Sequence, residues 1–298
     1  MSGNGNKALP LISVIIATYN RRDFIVEAVH SALDQTYRNI EVIIVDDGST
    51  DDTRFLIEKE FGADPRVSYY YQSNNKRASA FNHGLSYAKG EYIAIVDSDN
   101  RWLPRRLESG LDALKKNPDY DIAYGDIILI DECGDEISRQ NMKRYSGKIT
   151  NQLIKDNCVT INTALVPRKC FDEMGPMDIS RKRADDYELW LRMSTAYSFL
   201  YIPEFLTEYR VIEDQISSDK TRRFEANLSI ISDFKKAFPD ALTEEEFDIG
   251  FAAFHIRKAR YLASTGKKKE ALKEIVHAVK LRPLGRNTWR GLAAVLLK

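Results

Sequence analysis

The sequence lacks the features that mark several common protein classes. Its 298 residues include three cysteines, Cys133, Cys158 and Cys170, with neither CxxC nor Cys/His ligand spacing, so neither a disulfide framework nor a zinc site is indicated. No stretch approaches the ~18 apolar residues of a membrane span, and residues 1–7 contain no apolar segment typical of a secretion signal. We therefore expect a cytoplasmic protein.

Glycine-rich phosphate-binding motifs are missing too. The chain contains neither GxGxxG nor GxxxxGK[ST], so a nicotinamide dehydrogenase or a P-loop NTPase would lack its phosphate cradle. Any phosphate charge must then be handled by a metal ion and by side chains.

Net charge is absent as well, but the charges are unevenly distributed. The 44 Lys and Arg balance the 44 Asp and Glu, which argues against a nucleic-acid-binding protein. Residues 251–298 alone carry 12 Lys and Arg against 2 Asp and Glu, a net of +10, which leaves −10 for residues 1–250. The chain therefore has an acidic body and a basic tail.

Strand-like and helix-like segments alternate over the first hundred residues. The strand-like segments are Leu11–Ala17, Ile40–Val45, Val67–Tyr71 and Glu91–Val96. Strands that are apolar throughout suit a parallel sheet covered by helices on both faces. Gly90 is expected to end the preceding helix as its C′ residue. The pattern predicts an α/β fold with a β-α-β-α-β-α-β start.

Polar loops follow three of these strands, where open parallel sheets bind their ligands. Asp97, Ser98 and Asp99 follow the fourth strand, and two carboxylates flanking one residue can hold a divalent cation that bridges a diphosphate. A capped, solvated turn explains this triplet equally well by itself. Asp46 and Asp47 follow the second strand and could accept hydrogen bonds from a base or ribose, form a turn, or do both.

Three further side chains have chemistry that suits a nucleotide. Tyr19 offers an aromatic face for a base, and Arg21 and Lys76 offer positive charge for phosphate. The alternative is a tyrosine that covers the sheet edge and cations that are simply solvated.

Several separated motifs resemble, in order and spacing, the nucleotide-sugar domain of family 2 glycosyltransferases with the GT-A fold. The resemblance covers residues 11 to about 215, and the residues that carry it are 13–21 (SVIIATYNR), 45–53 (VDDGSTDDT), Asn82, 90–93 (GEYI) and 97–99 (DSD). It implies a Rossmann-like, mainly parallel central sheet flanked by helices and a nucleoside-diphosphate sugar as donor. It does not identify the sugar.

The resemblance also implies roles for individual residues. Tyr19 and Asp47 would contact the base and ribose, Arg21 and Lys76 would lie near the nucleotide, and Asp99 would hold Mn²⁺ or Mg²⁺ with help from Asp97. The remaining donor-binding residues that we assign from it are Ala17, Asp46 and Ser98.

An acidic pair that opens a helix in this family has its counterpart in residues 185–192 (DDYELWLR). By resemblance Asp186 is the catalytic base, whereas without the other motifs Asp185 and Asp186 would be simple first-turn acids. The family often has Tyr-Arg-x-His further on, but here Ile212 replaces the histidine. Glu213 or Asp214 could substitute as the third metal ligand.

The C-terminal segment predicts a separate helical unit. Residues 266–283 match the second half of a tetratricopeptide spacing. Because one partial repeat normally needs neighbours, one expectation is that the chain self-associates. The many Lys and Arg residues of this segment either form a solvated face over a buried seam, which is the simpler interpretation, or bind an anionic membrane surface.

Together these patterns predict a GT-A domain at residues 10–220 and a helical extension at 221–298. We expect a metal-dependent, inverting hexosyltransferase that moves a monosaccharide from a nucleoside-diphosphate sugar, with a UDP-sugar as the favoured donor. The acceptor would be a glycan or a lipid-linked acceptor in cell-surface polysaccharide synthesis. The protein would be cytoplasmic or peripheral on the inner face of the membrane. The alternative is a noncatalytic nucleotide-sugar-binding or scaffold module.

Overall fold

The computed structural model describes residues 9–140, 142–212 and 219–296. Within these ranges nine strands form one sheet: β1 (Ile12–Thr18), β2 (Ile40–Asp46), β3 (Val67–Tyr71), β4 (Tyr92–Ile95), β5 (Arg101–Trp102), β6 (Ile122–Ile130), β7 (Glu136–Arg139), β8 (Leu165–Pro167) and β9 (Phe199–Arg210). The helices of the same ranges are α1 (Ile25–Leu33), α2 (Thr53–Phe61), α3 (Arg77–Tyr87), α4 (Arg106–Lys116), α5 (Thr150–Leu153), α6 (Arg168–Met174), α7 (Asp185–Ser194), α8 (Lys220–Ala237), α9 (Glu244–Ser264), α10 (Lys268–Leu281) and α11 (Arg286–Leu296).

The first half of the sheet is parallel, as the sequence predicts. The strand order is β3-β2-β1-β4-β8-β6-β9-β5, with β7 paired to β6. Strands β3, β2, β1 and β4 run parallel, and Thr18 at the end of β1 lies beside Asp46 at the end of β2. The expected α/β architecture is confirmed, and its polar loops open at one edge.

The second half of the sheet is mixed and was not evident from the sequence. Strand β8 runs antiparallel to β4, whereas β6 and the long β9 are parallel to each other. The short β5 pairs antiparallel with β9 and extends the sheet beyond it. These pairings join residues that lie far apart in the chain, so no local periodicity reports them.

Helices cover both faces of the sheet. On one face Val14 and Ile16 pack with Val29 of α1, and on the other Ile15 packs with Phe81 of α3. Alternate residues of an apolar strand point to opposite faces, so a strand buried on both sides needs apolar residues throughout. This explains why β1 is apolar except at Ser13 and at its last residue, Thr18.

The expectation for Gly90 is wrong. Helix α3 is capped at Ala88 in an extended conformation, and Gly90 does not have the left-handed backbone of a C′ glycine. A Cβ atom at Gly90 would lie 2.5 Å from the backbone nitrogen of Ser13, and the Gly90 amide donates to Ser13 Oγ at 2.8 Å. The glycine therefore allows two backbone segments to approach closely.

The C-terminal helices are present as expected, and α9 belongs to two cores. Phe247 and Phe254 of α9 pack in the main core together with Trp190 of α7. Ile256 and neighbouring residues of α9 form a smaller core with α10 and α11. The half-repeat thus has neighbours within the chain, so the reason for expecting self-association disappears, and the oligomeric state stays a prediction.

Two further observations concern these helices. Ala271 and Ile275 of α10 are buried, whereas Val276 of the same helix is 52 % exposed. No helix among the described residues is long and apolar enough to cross a bilayer.

Candidate active site

The loops after β1 and β2 are tied together by hydrogen bonds. The Asn20 amide donates to Ser49 Oγ at 2.9 Å, and the Thr50 amide donates to Asn20 Oδ1 at 2.8 Å. Tyr19, which precedes this connection, is 46 % exposed, while Ala17 at the end of β1 is half-buried. The ring of Tyr19 is therefore open to a ligand at this edge.

Asp46 and Asp47 are both buried and both hydrogen-bonded within the protein. Asp46 accepts from the Ser49 amide and the Tyr69 hydroxyl, at 2.7 and 2.8 Å. Asp47 accepts from three donors, each at 2.8 Å: the Gln72 side-chain amide and the backbone amides of Asn75 and Lys76. These carboxylates fix the loops that follow β2 and β3, and their contact with a nucleotide stays a prediction.

Asp97 is held by a side chain from a distant segment. Asn162 Nδ2 donates to Asp97 Oδ2, and the Asp97 amide donates to Asn162 Oδ1, both at 2.7 Å. The carbonyl oxygen of Asn162 in turn accepts from Trp102 Nε1 at 2.8 Å and from Thr207 Oγ1 at 3.0 Å. The orientation of the Asp97 carboxylate is thereby fixed from behind, while Ser98 beside it is buried.

Asp99 has fewer partners than Asp97. Its carboxylate lies 3.5 Å from Arg21 Nε and is 12 % exposed. Burial, reinforced by the negative charge of Asp97, raises the pKa of Asp99 to about 6. Two carboxylates that repel each other in a partly dry site have the hard oxygen donors that Mg²⁺ or Mn²⁺ accepts.

Arg77 joins the loop after β4 to the start of α7. Its Nε donates to Asp97 Oδ1 at 3.1 Å and its NH1 donates to Asp185 Oδ1 at 2.7 Å. Burial disfavours the charge, but the carboxylates of Asp185 and Asp97 more than offset this and raise the pKa of Arg77 above its ordinary value. One guanidinium thus spans the two acidic motifs that the sequence places 88 residues apart.

Asp186, the predicted base, is half-buried and accepts one hydrogen bond. The donor is Asn157 Nδ2, 3.1 Å from Asp186 Oδ2. Burial raises the pKa of Asp186, an effect that the charge of Arg77 opposes and that of Asp185 reinforces. Its second oxygen accepts no hydrogen bond from the described residues.

Strained backbone is concentrated around this site. Among the described residues, the non-glycine residues with positive φ are Asn20, Lys76 and Ala184, at 49°, 74° and 55°. Asn20 lies in the loop after β1, Lys76 directly precedes α3, and Ala184 directly precedes α7. Such conformations cost about 1–3 kcal/mol and persist where the surrounding structure imposes them, often at functional sites.

The last residue of β9 supports the loop after β4. The Arg210 amide donates to Asn100 Oδ1 at 2.8 Å, and Arg210 Nε donates to the carbonyl oxygen of Asp99 at 3.1 Å. Glu213 and Asp214, proposed from the sequence as a third metal ligand, lie outside the described residues. Within the described ranges no group of three or more His, Cys, Asp or Glu is placed to hold a metal.

The site contains three residues that we do not predict from the sequence. They are Arg77, Asn157 and Asn162, and none of them belongs to a motif that we identify in the sequence. Asn162 contacts Asp97 across 65 residues of chain, and only the pairing of β8 with β4 brings the two together. A single sequence contains no signal for such a contact.

A comparison with known families identifies the chain as a glycosyltransferase. Residues 13–175 match the model of glycosyl transferase family 2, and the chain belongs to this family. It is 31 % identical over 246 residues to an uncharacterized glycosyltransferase of Rickettsia typhi, an alignment that covers 81 % of this chain and 75 % of that one.

Two relatives have more specific names. The putative teichuronic acid biosynthesis glycosyltransferase TuaG of Bacillus subtilis is 32 % identical over 222 residues, covering 71 % of this chain and 83 % of TuaG. The UDP-Glc:alpha-D-GlcNAc-diphosphoundecaprenol beta-1,3-glucosyltransferase WfgD of Escherichia coli is 29 % identical over 265 residues, covering 87 % and 98 %.

Solved structures confirm the fold. The crystal structure of residues 1–349 of S. aureus TarS matches with a TM-score of 0.64 at 18 % identity, covering 91 % of this chain and 81 % of that one. The same TarS fragment in complex with UDP-GlcNAc matches with a TM-score of 0.60 at 16 % identity, covering 91 % and 88 %. At this identity the likeness establishes a shared GT-A architecture.

Proposed function

We propose that the chain transfers a monosaccharide, with inversion, from a UDP-sugar to a glycan or lipid-linked acceptor in cell-surface polysaccharide synthesis. The single observation that carries this proposal is the bridge that Arg77 makes between Asp97 and Asp185. It joins the loop that contains the expected diphosphate-binding carboxylates to the start of the helix that contains the expected base. The names of TuaG and WfgD, and the UDP-GlcNAc complex of TarS, support this choice of substrates.

Asp186 is the general base of the proposed reaction. Its free oxygen takes the proton of the acceptor hydroxyl while that hydroxyl attacks the sugar on the face opposite the leaving diphosphate, which inverts the anomeric centre. Asn157 holds the other oxygen and so fixes the direction of the carboxylate. Arg77 keeps positive charge between the reacting groups and disfavours protonation of Asp186.

The residues of the loop after β4 fit a divalent cation. Asp99, with Asp97, would hold Mn²⁺ or Mg²⁺, ions that usually keep several waters and share their remaining ligands with substrate phosphates. When bound, such an ion neutralises charge on the departing diphosphate. Tyr19 and the loop fixed by Asp47 would contact the base and ribose, and Arg21 and Lys76 would lie near the phosphates.

A donor screen tests the proposal. Thermal unfolding is measured with UDP-, GDP- and dTDP-sugars, each with and without Mn²⁺, because a ligand at 100 times its Kd stabilises the folded state by about 2.7 kcal/mol. We expect a UDP-sugar to raise Tm most, and to do so with Mn²⁺ present. Donor turnover, as slow hydrolysis or transfer, is then followed for the same UDP-sugar.

The outcomes are distinct. Binding with turnover supports the transferase. Binding with no turnover under any metal condition supports a noncatalytic nucleotide-sugar-binding module. If the Tm shift is the same with and without Mn²⁺, the proposed metal-binding role of Asp97 and Asp99 is wrong.

A further inference from the structure

The last helix of the described chain has an outer face that combines apolar and basic side chains. Thr288, Gly291 and Val295 of α11 are buried against the neighbouring helices. Trp289 and Leu296 lie two helical turns apart on the outer side and are each about half exposed. Leu284, in the turn before the helix, is 95 % exposed.

The charges on this face are of one sign and unpaired. Residues 275–298 contain five Lys and Arg and no Asp or Glu. Arg286 and Arg290 are exposed and one helical turn apart, and neither has an ion-pair partner in the part of the chain that the structure describes. The nearby Arg282 differs because it pairs with Glu245 of α9 at 2.7 Å.

We propose that this outer face, comprising Leu284, Arg286, Trp289, Arg290 and Leu296, docks on an anionic lipid bilayer. An amphipathic helix with cations beside large apolar side chains lies in the interface between headgroups and acyl chains. Tryptophan favours that interface because its ring is amphipathic. The Trp289 indole N–H already donates to the Pro283 carbonyl oxygen at 2.8 Å, so the ring can enter lipid without an unsatisfied donor.

Two other occupants fit less well. A two-fold contact with a second copy would set this face against itself, and Arg286 and Arg290 would meet their own copies with no carboxylate on the face to pair with them. A nucleic-acid backbone would match the cations but leave Leu284 and Leu296 in water. A bilayer with anionic headgroups satisfies both kinds of side chain.

The chain contains its own probe for this docking. Of its three tryptophans, Trp102 and Trp190 are buried and Trp289 is exposed. A blue shift of tryptophan emission on adding vesicles therefore reports Trp289 entering the bilayer. Quenching by brominated lipids confirms its depth.

The experiment uses the full chain with vesicles of phosphatidylglycerol and phosphatidylcholine, and with phosphatidylcholine alone. We expect flotation and a blue shift only with the anionic vesicles, reversed by high salt. The double substitution Arg286→Glu with Arg290→Glu should weaken partitioning by more than tenfold, because each cation near such a surface contributes about fivefold. Trp289→Ala should weaken it as well.

Matched variants separate the face from net charge and general exposure. Lys115→Glu with Lys116→Glu makes the same change in net charge on α4, at residues that are also exposed, and should leave partitioning nearly intact. Phe55→Ala removes another exposed ring, on α2, and serves as the control for Trp289→Ala.

Three results would overturn the proposal. One is an absence of flotation with anionic vesicles, and another is an equal loss in the α4 control. The third is a wild-type dimer that Trp289→Ala converts to a monomer, which would assign the face to a second copy. Donor binding enters none of these measurements, so the proposed transferase activity stands or falls separately.

Discussion

The two sides of the candidate site hold their carboxylates differently. At the strand ends, Asp47 accepts from three protein donors, two of them backbone amides, and both oxygens of Asp97 are occupied. At the start of α7, Asp186 accepts a single hydrogen bond, from Asn157. The two sides are linked through Arg77.

This difference separates carboxylates that shape a surface from one that can take a proton. A carboxylate that accepts from fixed donors on both oxygens is held in one orientation and has fewer lone pairs left for a ligand. A half-buried carboxylate with a free oxygen and a raised pKa has the properties of a general base. We therefore expect substitutions on the two sides to affect different quantities.

Asp186→Asn should have the largest effect. We expect kcat to fall by about 10²–10⁴-fold because the base is lost, with donor affinity in calorimetry almost unchanged. Burial raises the pKa of Asp186, so the folded state binds this proton more tightly than the unfolded chain does. That stabilisation is present below the ordinary aspartate pKa and is lost as pH rises through the raised value.

At neutral pH the charged Asp186 carboxylate is disfavoured by its burial. The neutral amide of Asp186→Asn avoids this destabilisation, so the variant should be at least as stable as the wild type. Asp112→Asn on α4, which replaces a carboxylate outside the site, is the control and should retain turnover. Full turnover in Asp186→Asn would show that Asp186 is not the general base.

Arg77→Met should uncouple the two sides. It leaves the buried Asp185 without its cation, and we expect the free energy of unfolding in urea titrations to fall by about 2 kcal/mol, less than for a fully buried pair because Arg77 is 27 % exposed. The charge of Arg77 lowers the pKa of Asp186, so the acidic limb of the pH–rate profile should move to higher pH.

Arg77→Lys is the matched control for this prediction. It keeps the charge but cannot make the forked contact, so the pH limb should stay near the wild-type position while part of the stability is lost. Wild-type stability in Arg77→Met would show that the bridge contributes nothing.

A pair of asparagine variants tests the comparison directly. Asn162→Ala frees the Asp97 carboxylate and should weaken donor and metal binding by about 10–100-fold, the usual effect of losing a residue that orients a ligand-binding side chain. Asn157→Ala frees Asp186 and should lower kcat with little change in donor affinity. Identical effects on KM and kcat from the two variants would contradict the division into two sides.

Ala184→Gly should have the smallest effect, and its sign is the informative part. Ala184 precedes α7 with φ of 55°, a conformation that glycine adopts without steric cost. We expect the free energy of unfolding to stay unchanged or rise by up to about 1 kcal/mol. The same replacement at Ala113, inside α4, should lower it by about 1 kcal/mol.

The sequence predicts the first half of the fold well because its signals are local. Strands β1 and β2 differ by about one residue from their predicted bounds, since strands buried on both faces are largely apolar. The edge strand β3 has its predicted bounds although it is only partly buried. The polar loops after β1, β2 and β4 meet as expected because neighbouring parallel strands end at one edge. The motif residues are thus correctly gathered, although their individual roles stay predictions.

The sequence does not predict what distant segments contribute. The contacts of Asn162 and Asn157 depend on the pairing of β8 and the placement of α7, which no local pattern reports. The hydrogen bonds to the Asp46 oxygens likewise could not be inferred from the position of Asp46 at the end of a strand. The sequence predicts a local role for Gly90 as a helix terminator, whereas its actual constraint comes from Ser13, 77 residues away.

Helix α9 fixes the orientation of the C-terminal helices relative to the main core. It is 21 residues long, about 31 Å at 1.5 Å per residue. Its first half is embedded in the main core through Phe247 and Phe254, and its second half in the small core with α10 and α11. A rotation of the candidate active site relative to the outer face of α11 would have to break a continuous helix, so a bilayer that holds α11 would also set the angle at which this site meets an acceptor.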